Sequence, residues 1–287
     1  MNYLSALISL SKPNIILSVG LTGLTGMVLA KGSFPEINII FYTLLSLILS
    51  AAGAAMVNNL IEKDSDKLMK RLSSRVESLN LIGPINLTII ASFLITFSLG
   101  ISFFKINIVN FYFTLTAILS YTIYYTLFLK KSSPFGTVLG GIPGALPVLI
   151  GFAAINPDLS ISFINGVVMF TFMMLWQPPH FWLLAQFLAE DYKNAGFPVM
   201  PIVYGKTYTD YLIMIYSLSL IPFSLYFWVI GIASKLYAIT ALIIGLAFLF
   251  SVYKAFKSKK KYKMAFIFSI FYMLILHTTL IIDISAR

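Results

Sequence analysis

Three oxygen-bearing side chains, Asn58, Glu62 and Asp66, recur at intervals of four in the run Asn58-Asn59-Leu60-Ile61-Glu62-Lys63-Asp64-Ser65-Asp66. On a helix this spacing sets an amide and two carboxylates on one face, one turn apart. Two acids so close repel, and a cation between them relieves the repulsion. An all-oxygen set suits Mg²⁺, which binds through one or two carboxylates, waters and substrate phosphates. Asp64 falls on a different face. The same spacing also describes a solvated helix end whose acids pair with nearby lysines, and the spacing alone leaves both possibilities open. Next comes Lys70-Arg71-Leu72-Ser73-Ser74-Arg75, with Arg71 and Arg75 again four apart. Arginine forks match phosphate oxygens; they also anchor membrane proteins at the inner surface. Acids followed by a basic pair describe a metal–diphosphate site better than either part does alone.

A second group is Trp176-Gln177-Pro178-Pro179-His180-Phe181-Trp182, followed by Glu190-Asp191-Tyr192-Lys193-Asn194-Ala195-Gly196. Gln177 and His180 are expected at membrane depth, where such groups are candidates for function. They equally fit a polar pair that satisfies backbone freed by a kink at the two prolines. A third group joins Lys130-Lys131 to Gly140-Gly141-Ile142-Pro143-Gly144-Ala145-Leu146-Pro147. Its small residues permit close helix approach, and its lysines either add charge to a phosphate site or mark the inner face. His277 stands alone and is assigned a structural role.

The elements that position these groups are membrane spans. Hydrophobic residues make up 59% of the 287, charged residues 10%, and the mean hydropathy is +0.91, far too apolar for a soluble domain of this size. The chain is predicted to be all-α, a single domain over residues 1–287. Nine helices are expected to cross the lipid bilayer at about 13–30, 37–57, 81–104, 107–129, 137–155, 161–188, 211–231, 236–256 and 264–284. No cleaved leader is expected at the N-terminus. The absence of cysteine excludes disulfides, thiolate metal sites and cysteine nucleophiles. The net charge of +10 is read as topology rather than nucleic-acid binding, because no soluble domain exists to carry a nucleic-acid site. With the N-terminus cytoplasmic, the inner segments hold Lys12, Lys63, Lys67, Lys70, Arg71, Arg75, Lys130, Lys131, Lys193, Lys206, Lys254, Lys257, Lys259, Lys260, Lys261 and Lys263, leaving Lys31, Lys105, Lys235 and Arg287 outside. This predicts a multi-pass protein of the plasma membrane with cytoplasmic site loops and an outward C-terminus.

Taken together, these residues resemble the UbiA superfamily of intramembrane prenyltransferases, and within it the heme O synthase branch. Asn58, Glu62 and Asp66 match the superfamily's N-x-x-x-D-x-x-x-D region. The branch's longer run, with its M-x-R and second Arg, is met by Asn58, Asn59, Glu62, Asp64, Asp66, Met69, Arg71 and Arg75. Trp176-Gln177-x-Pro179-His180-Phe181, Asp191-Tyr192-x-x-Ala195-Gly196-x-Pro198-x-Met200-Pro201, Lys12-Pro13, and Gly140-Gly141 with Pro147 are similar to its other motifs. The matches run in family order from residue 11 to about 205 and imply a UbiA-type bundle. Glu62 departs from the usual Asp, Leu72 from a Thr, and Asn14 from an Arg.

The resemblance implies transfer of a prenyl group from an isoprenoid diphosphate to a vinyl group of heme B, with water added. It assigns Mg²⁺ to Asn58, Glu62, Asp66 and Asp191, with Asp64 also among the catalytic residues. It assigns substrate contact to Lys12, Arg71, Arg75, Lys130, Trp176, Gln177, His180, Tyr192 and Lys193, His180 being the candidate contact to heme and its iron. A heme A-forming enzyme or a terminal oxidase is the downstream partner class it implies. Two alternatives stand beside it. One is a related prenyltransferase with an aromatic or lipid acceptor, disfavoured because Ala195 stands near a second Asp of quinone-pathway relatives. The other is a transporter, disfavoured because the acids gather at one mouth rather than at a midplane site.

Overall fold

The computed structural model describes residues 2–158 and 160–287; the side chains of Lys70, Lys131 and Thr137 lie outside the description, and with them the charges expected of those two lysines. The described residues form helices and turns without a strand. In order they are α1 (Tyr3–Ser11), α2 (Pro13–Lys31), α3 (Ile37–Asp66), a 3₁₀ turn (Lys70–Leu72), α4 (Ser73–Ile82), α5 (Pro84–Ile101), α6 (Ile108–Leu119), α7 (Lys130–Ser132), α8 (Gly136–Leu139), α9 (Ile142–Ile155), α10 (Phe163–Phe187), α11 (Ala189–Asn194), α12 (Met200–Val203), α13 (Gly205–Val229), α14 (Lys235–Ala255) and α15 (Lys259–Ser285). Two π-helical stretches, Ser102–Ile106 and Ser120–Leu129, extend α5 and α6.

Helical structure occupies all nine expected positions. Among the described residues, however, seven helices are long and apolar enough to cross a membrane: Pro13–Lys31, Ile37–Asp66, Pro84–Ile106, Ile108–Leu129, Gly205–Val229, Lys235–Ala255 and Lys259–Ser285. The other two expected spans differ for separate reasons. The fifth is interrupted at Gly140 and Gly141, leaving the shorter α9. The sixth, α10, runs unbroken through Pro178 and Pro179 but carries Gln177 and His180 in its apolar run. The third expected span begins later than 81, because Gly83 (φ +80°) separates α4 from α5 and Pro84 opens α5 where no amide donor is needed.

Consecutive long helices run antiparallel in two packed groups, α2–α3–α5–α6–α9 and α10–α13–α14–α15, with α2 touching α9, α10 and α15. The α2–α9 crossing is backbone to backbone: a Cβ on Gly151 would lie 1.9 Å from the Gly23 carbonyl oxygen, and one on Gly26 would lie 2.0 Å from that of Val148. This is the small-residue packing expected where lipid supplies no hydrophobic drive between helices. Buried hydroxyls satisfy one another at depth, as Ser46 does with Ser98 and Ser102 across α3 and α5. The outer faces are apolar instead: Ile85, Ile89 and Phe93 on α5, and Leu236, Ile239 and Ile243 on α14, are more than half exposed. Such stripes are what lipid solvates.

Candidate active site

Alternation of direction brings Lys12, the last turns of α3, the end of the second π stretch, α4, α11 and the start of α13 to one end of the bundle. α3 is 30 residues long, about 45 Å at 1.5 Å per residue. It therefore outruns its neighbours, and its final turns carry the acids beyond the apolar layer. Asn58, Glu62 and Asp66 share one face as the spacing predicted, and they are buried, at 2%, 1% and 4% exposure. The solvated helix end is thereby ruled out in half its content: the acids pair with cations, but away from water.

Each member of the face has its own cation. Lys130 Nζ donates to Glu62 Oε1 at 2.5 Å. Arg75 donates to Asp66 Oδ2 at 3.0 Å, and Lys12 Nζ donates to Asn58 Oδ1 at 2.5 Å and to the Tyr121 hydroxyl at 3.3 Å. Lys12 sits in the break between α1 and α2 with φ +57°, the one non-glycine residue with positive φ among the described residues. That conformation costs a lysine on the order of 1 kcal/mol or more, and the contacts of its side chain offset it. The Lys12 ammonium is lowered to about 8, first by burial and then by neighbouring Arg75, with Glu62 and Asp66 opposing.

Two loops close over this face. Met69 and Leu72, after α3, pack on Phe197, with Tyr192, Ala195 and Val199 around them. Arg71 leaves the 3₁₀ turn toward α11, its Nε 3.7 Å from Asp191 Oδ2 and its guanidinium 5.6 Å from the Tyr192 ring centre. Arg71 and Arg75 therefore point to different acids, because the 3₁₀-to-α junction separates them. Lys130 lies over the Phe197 ring at 5.0 Å. Asp64 is on the outer face, exposed and ion-paired with Lys67 at 2.8 Å, and Lys193 is exposed on α11; neither joins the buried group.

The second sequence group divides between two seams. Gln177 donates to the Gly141 carbonyl at 2.8 Å and to that of Met173 at 3.2 Å. A Cβ on Gly144 would lie 2.3 Å from Gln177 Oε1, so glycine at 144 makes room for the amide. Trp176 and His180 face α15 instead. Trp176 Nε1 donates to the Ser269 carbonyl, and His180 Nδ1 bonds the Ser269 hydroxyl at 2.6 Å, its ring stacked between Trp176 and Phe266. His277 is buried, bonded to Thr25 at 2.8 Å and against the Met173 sulfur, in keeping with a structural role.

The sequence reading passed over Tyr121, Tyr125, Thr126 and Phe197. The tyrosines carry no motif signal of their own, and Thr126 reaches the site from a stretch where the helix is π-wound. It also missed a buried knot in which Asp210 accepts from Tyr262, Gln186 and Lys206, tying α10, α13 and α15 together.

The grouping suits an anionic leaving group held by cations beside oxygen ligands. Among the described residues no three acid or histidine side chains converge to hold a metal unaided. An amide and carboxylates now held by cations fit an ion that also takes oxygens from a bound phosphate. The model of the UbiA prenyltransferase family matches residues 19–276. The chain belongs to the UbiA family. Over 261 residues it is 41% identical to the protoheme IX farnesyltransferase of Geotalea uraniireducens (strain Rf4), covering 91% of this chain and all of that one. A solved structure of digeranylgeranylglyceryl phosphate synthase is 18% identical with a TM-score of 0.80, covering both chains fully. A UbiA homolog from Archaeoglobus fulgidus bound to DMAPP and Mg²⁺ is 17% identical with a TM-score of 0.66, covering 98% of this chain and 99% of that one. Both share the fold.

Proposed function

We propose that this UbiA prenyltransferase is a heme O synthase. It transfers a farnesyl or longer prenyl group to a vinyl carbon of heme B. The observation that carries this is the 41% identity, along nearly the whole chain, to a protein named protoheme IX farnesyltransferase. The allylic C–O bond breaks and its electrons leave with the diphosphate. The vinyl terminus bonds to prenyl C1, water adds to the cation left beside the pyrrole ring, and one proton is released. Asn58, Glu62, Asp66 and Asp191 would be the oxygen donors for Mg²⁺, which when bound would neutralise charge on the departing diphosphate; the solved homolog bound to DMAPP and Mg²⁺ supports Mg²⁺ as the ion. Lys12, Arg71, Arg75 and Lys130, now paired with those same oxygens, turn to phosphate oxygens as the ligands engage. Leu47, on α3 about 16 Å of helix rise from Asn58, packs with Leu146, Leu149 and Ile150 in an apolar layer beneath the site. His180 is the proposed heme contact, with Trp176, Gln177 and Tyr192 as further substrate contacts, and Lys193 adds charge toward the diphosphate. The crowding of basic residues at the site end supports a cytoplasmic N-terminus and site, and the nine crossings expected from the sequence would put the C-terminus outside the plasma membrane.

The test is a mass-spectrometric heme profile of cells expressing the chain or its Asp66→Ala variant. A heme heavier than heme B by one prenyl group plus water, absent in the variant, is the expected result. An unchanged heme pool with folded protein and prenyl diphosphate present would turn the assignment to another acceptor, such as an aromatic acid.

A further inference from the structure

Asn58 is wired on both sides of its amide. Its Oδ1 accepts from Lys12 Nζ at 2.5 Å, and its Nδ2 donates to Thr126 Oγ1 at 3.1 Å. The Thr126 hydroxyl hydrogen is already committed, since Thr126 Oγ1 lies 2.7 Å from the Tyr121 carbonyl, a group that only accepts. Its oxygen therefore meets Asn58 as an acceptor. An ammonium only donates, so the Lys12 side demands the amide oxygen. Turning the amide over would set N–H groups against an ammonium and a carbonyl against a hydroxyl with no hydrogen to give. The orientation of Asn58 is thus decided by its two partners rather than by its rotamer.

Thr126 can play this part because of where the chain is π-wound. Within Ser120–Leu129 its hydroxyl bonds the carbonyl five residues back, whereas a threonine in an α-helix reaches three or four back. The wider turn points the oxygen lone pair at α3. Thr126 itself is fully buried, so water does not stand in for Asn58 there. π-helical insertions in longer helices recur at functional sites, and the ten-residue stretch here has an identifiable product.

We infer that Thr126 is a positioning residue, which holds the Asn58 carboxamide with its oxygen facing the cation-lined mouth and so presets Asn58 as an oxygen donor to a Mg²⁺–diphosphate substrate. This rests on the proposed role of Asn58. Thr126→Val keeps the shape and removes the acceptor; Thr126→Ser keeps the acceptor.

The measurement is calorimetric titration of Mg²⁺ into the purified full chain saturated with a hydrolysis-resistant farnesyl thiodiphosphate. Turnover is read alongside as kcat and the KM for heme B. Thr126→Val is expected to weaken Mg²⁺ about tenfold, the effect of one lost buried hydrogen bond, and Thr126→Ser to stay within about twofold. The KM for heme B should not move. In an Asn58→Ala background the valine should have no further effect on Mg²⁺. If valine at 126 prevents folding, Thr126→Cys, similar in size with a weaker acceptor, should weaken Mg²⁺ about threefold. Wild-type Mg²⁺ affinity in a folded Thr126 variant without the hydroxyl, or an equal loss with and without Asn58, overturns the role of Thr126 and leaves the metal assignment standing. A wild-type chain that binds no Mg²⁺ overturns both.

Discussion

The Glu62–Lys130 pair is unequal in its surroundings: the Glu62 side chain is 2% exposed and that of Lys130 is 25% exposed. Removing either partner therefore has different consequences. Lys130→Met leaves a buried carboxylate without its cation. Breaking a fully buried pair costs about 3–5 kcal/mol; with a quarter of Lys130 already in water the expected loss is about 2–3 kcal/mol. Glu62→Gln leaves an amide that still accepts from the ammonium, and an ammonium that can find water, for a loss of about 1 kcal/mol. The double variant removes both charges and should lose little more than Glu62→Gln alone, a coupling of about 2 kcal/mol. Thermal unfolding in detergent at a fixed scan rate, followed by fluorescence of Trp176, Trp182 and Trp228, reads the order directly. At about 2–4 °C per kcal/mol, Lys130→Met should melt about 5–10 °C below wild type. Product formation should be lost in all three variants, because recovering stability does not restore a charged carboxylate ligand or a phosphate contact. Equal destabilisation by the two single changes, or additive melting shifts, would refute the pair as the structure draws it.

Other changes separate scaffold from chemistry. Gly151→Ala places a methyl group 1.9 Å from the Gly23 carbonyl oxygen and should cost more than about 3 kcal/mol by parting α2 from α9, whereas Gly100→Ala, with open space around it, should be neutral or stabilising by up to about 1 kcal/mol; yield and melting temperature compare the two. Asp210→Ala strips the acceptor from Tyr262, Gln186 and Lys206 and should destabilise by about 3 kcal/mol while prenyl transfer per folded molecule, measured by heme profile, stays unchanged. His180→Ala should weaken heme B binding roughly tenfold and leave prenyl diphosphate binding intact; unchanged affinity by heme titration removes His180 from the acceptor site.

What could be read from the sequence was what a single helix determines. Asn58, Glu62 and Asp66 share a face because four-residue spacing and helical geometry allow nothing else, and the long apolar runs place helices within a few residues. Asp64 fell outside the buried group for the same reason, lying a half-turn away. What could not be read was which cation would meet which acid. Lys130 is 68 positions from Glu62 and Lys12 is 46 from Asn58, so those pairings follow from the order of helices in the bundle. The separation of Gln177 from His180 depends likewise on which neighbour each face of α10 meets, α9 or α15. The π register that turns Thr126 toward Asn58 leaves no mark in hydropathy, because one extra residue per turn leaves the apolar pattern nearly intact.

The pairing of every buried acid with a cation decides how such a site can be filled. Four cations, Lys12, Arg71, Arg75 and Lys130, stand with three carboxylates, Glu62, Asp66 and Asp191, leaving one net positive charge behind the two closing loops. Mg²⁺ alone would increase that charge and would compete with lysine and arginine for each oxygen. A diphosphate alone would draw the cations away and leave Glu62 and Asp66 buried without partners, a costly state. On the proposed function, joint entry would let the metal take the oxygens while the phosphates took the cations, and every charge would keep an opposite neighbour. Glutamate at position 62, where the resemblance leads one to expect Asp, fits this exchange: its arm reaches Lys130 in the structure, and its extra methylene would give it the freedom to turn to a metal.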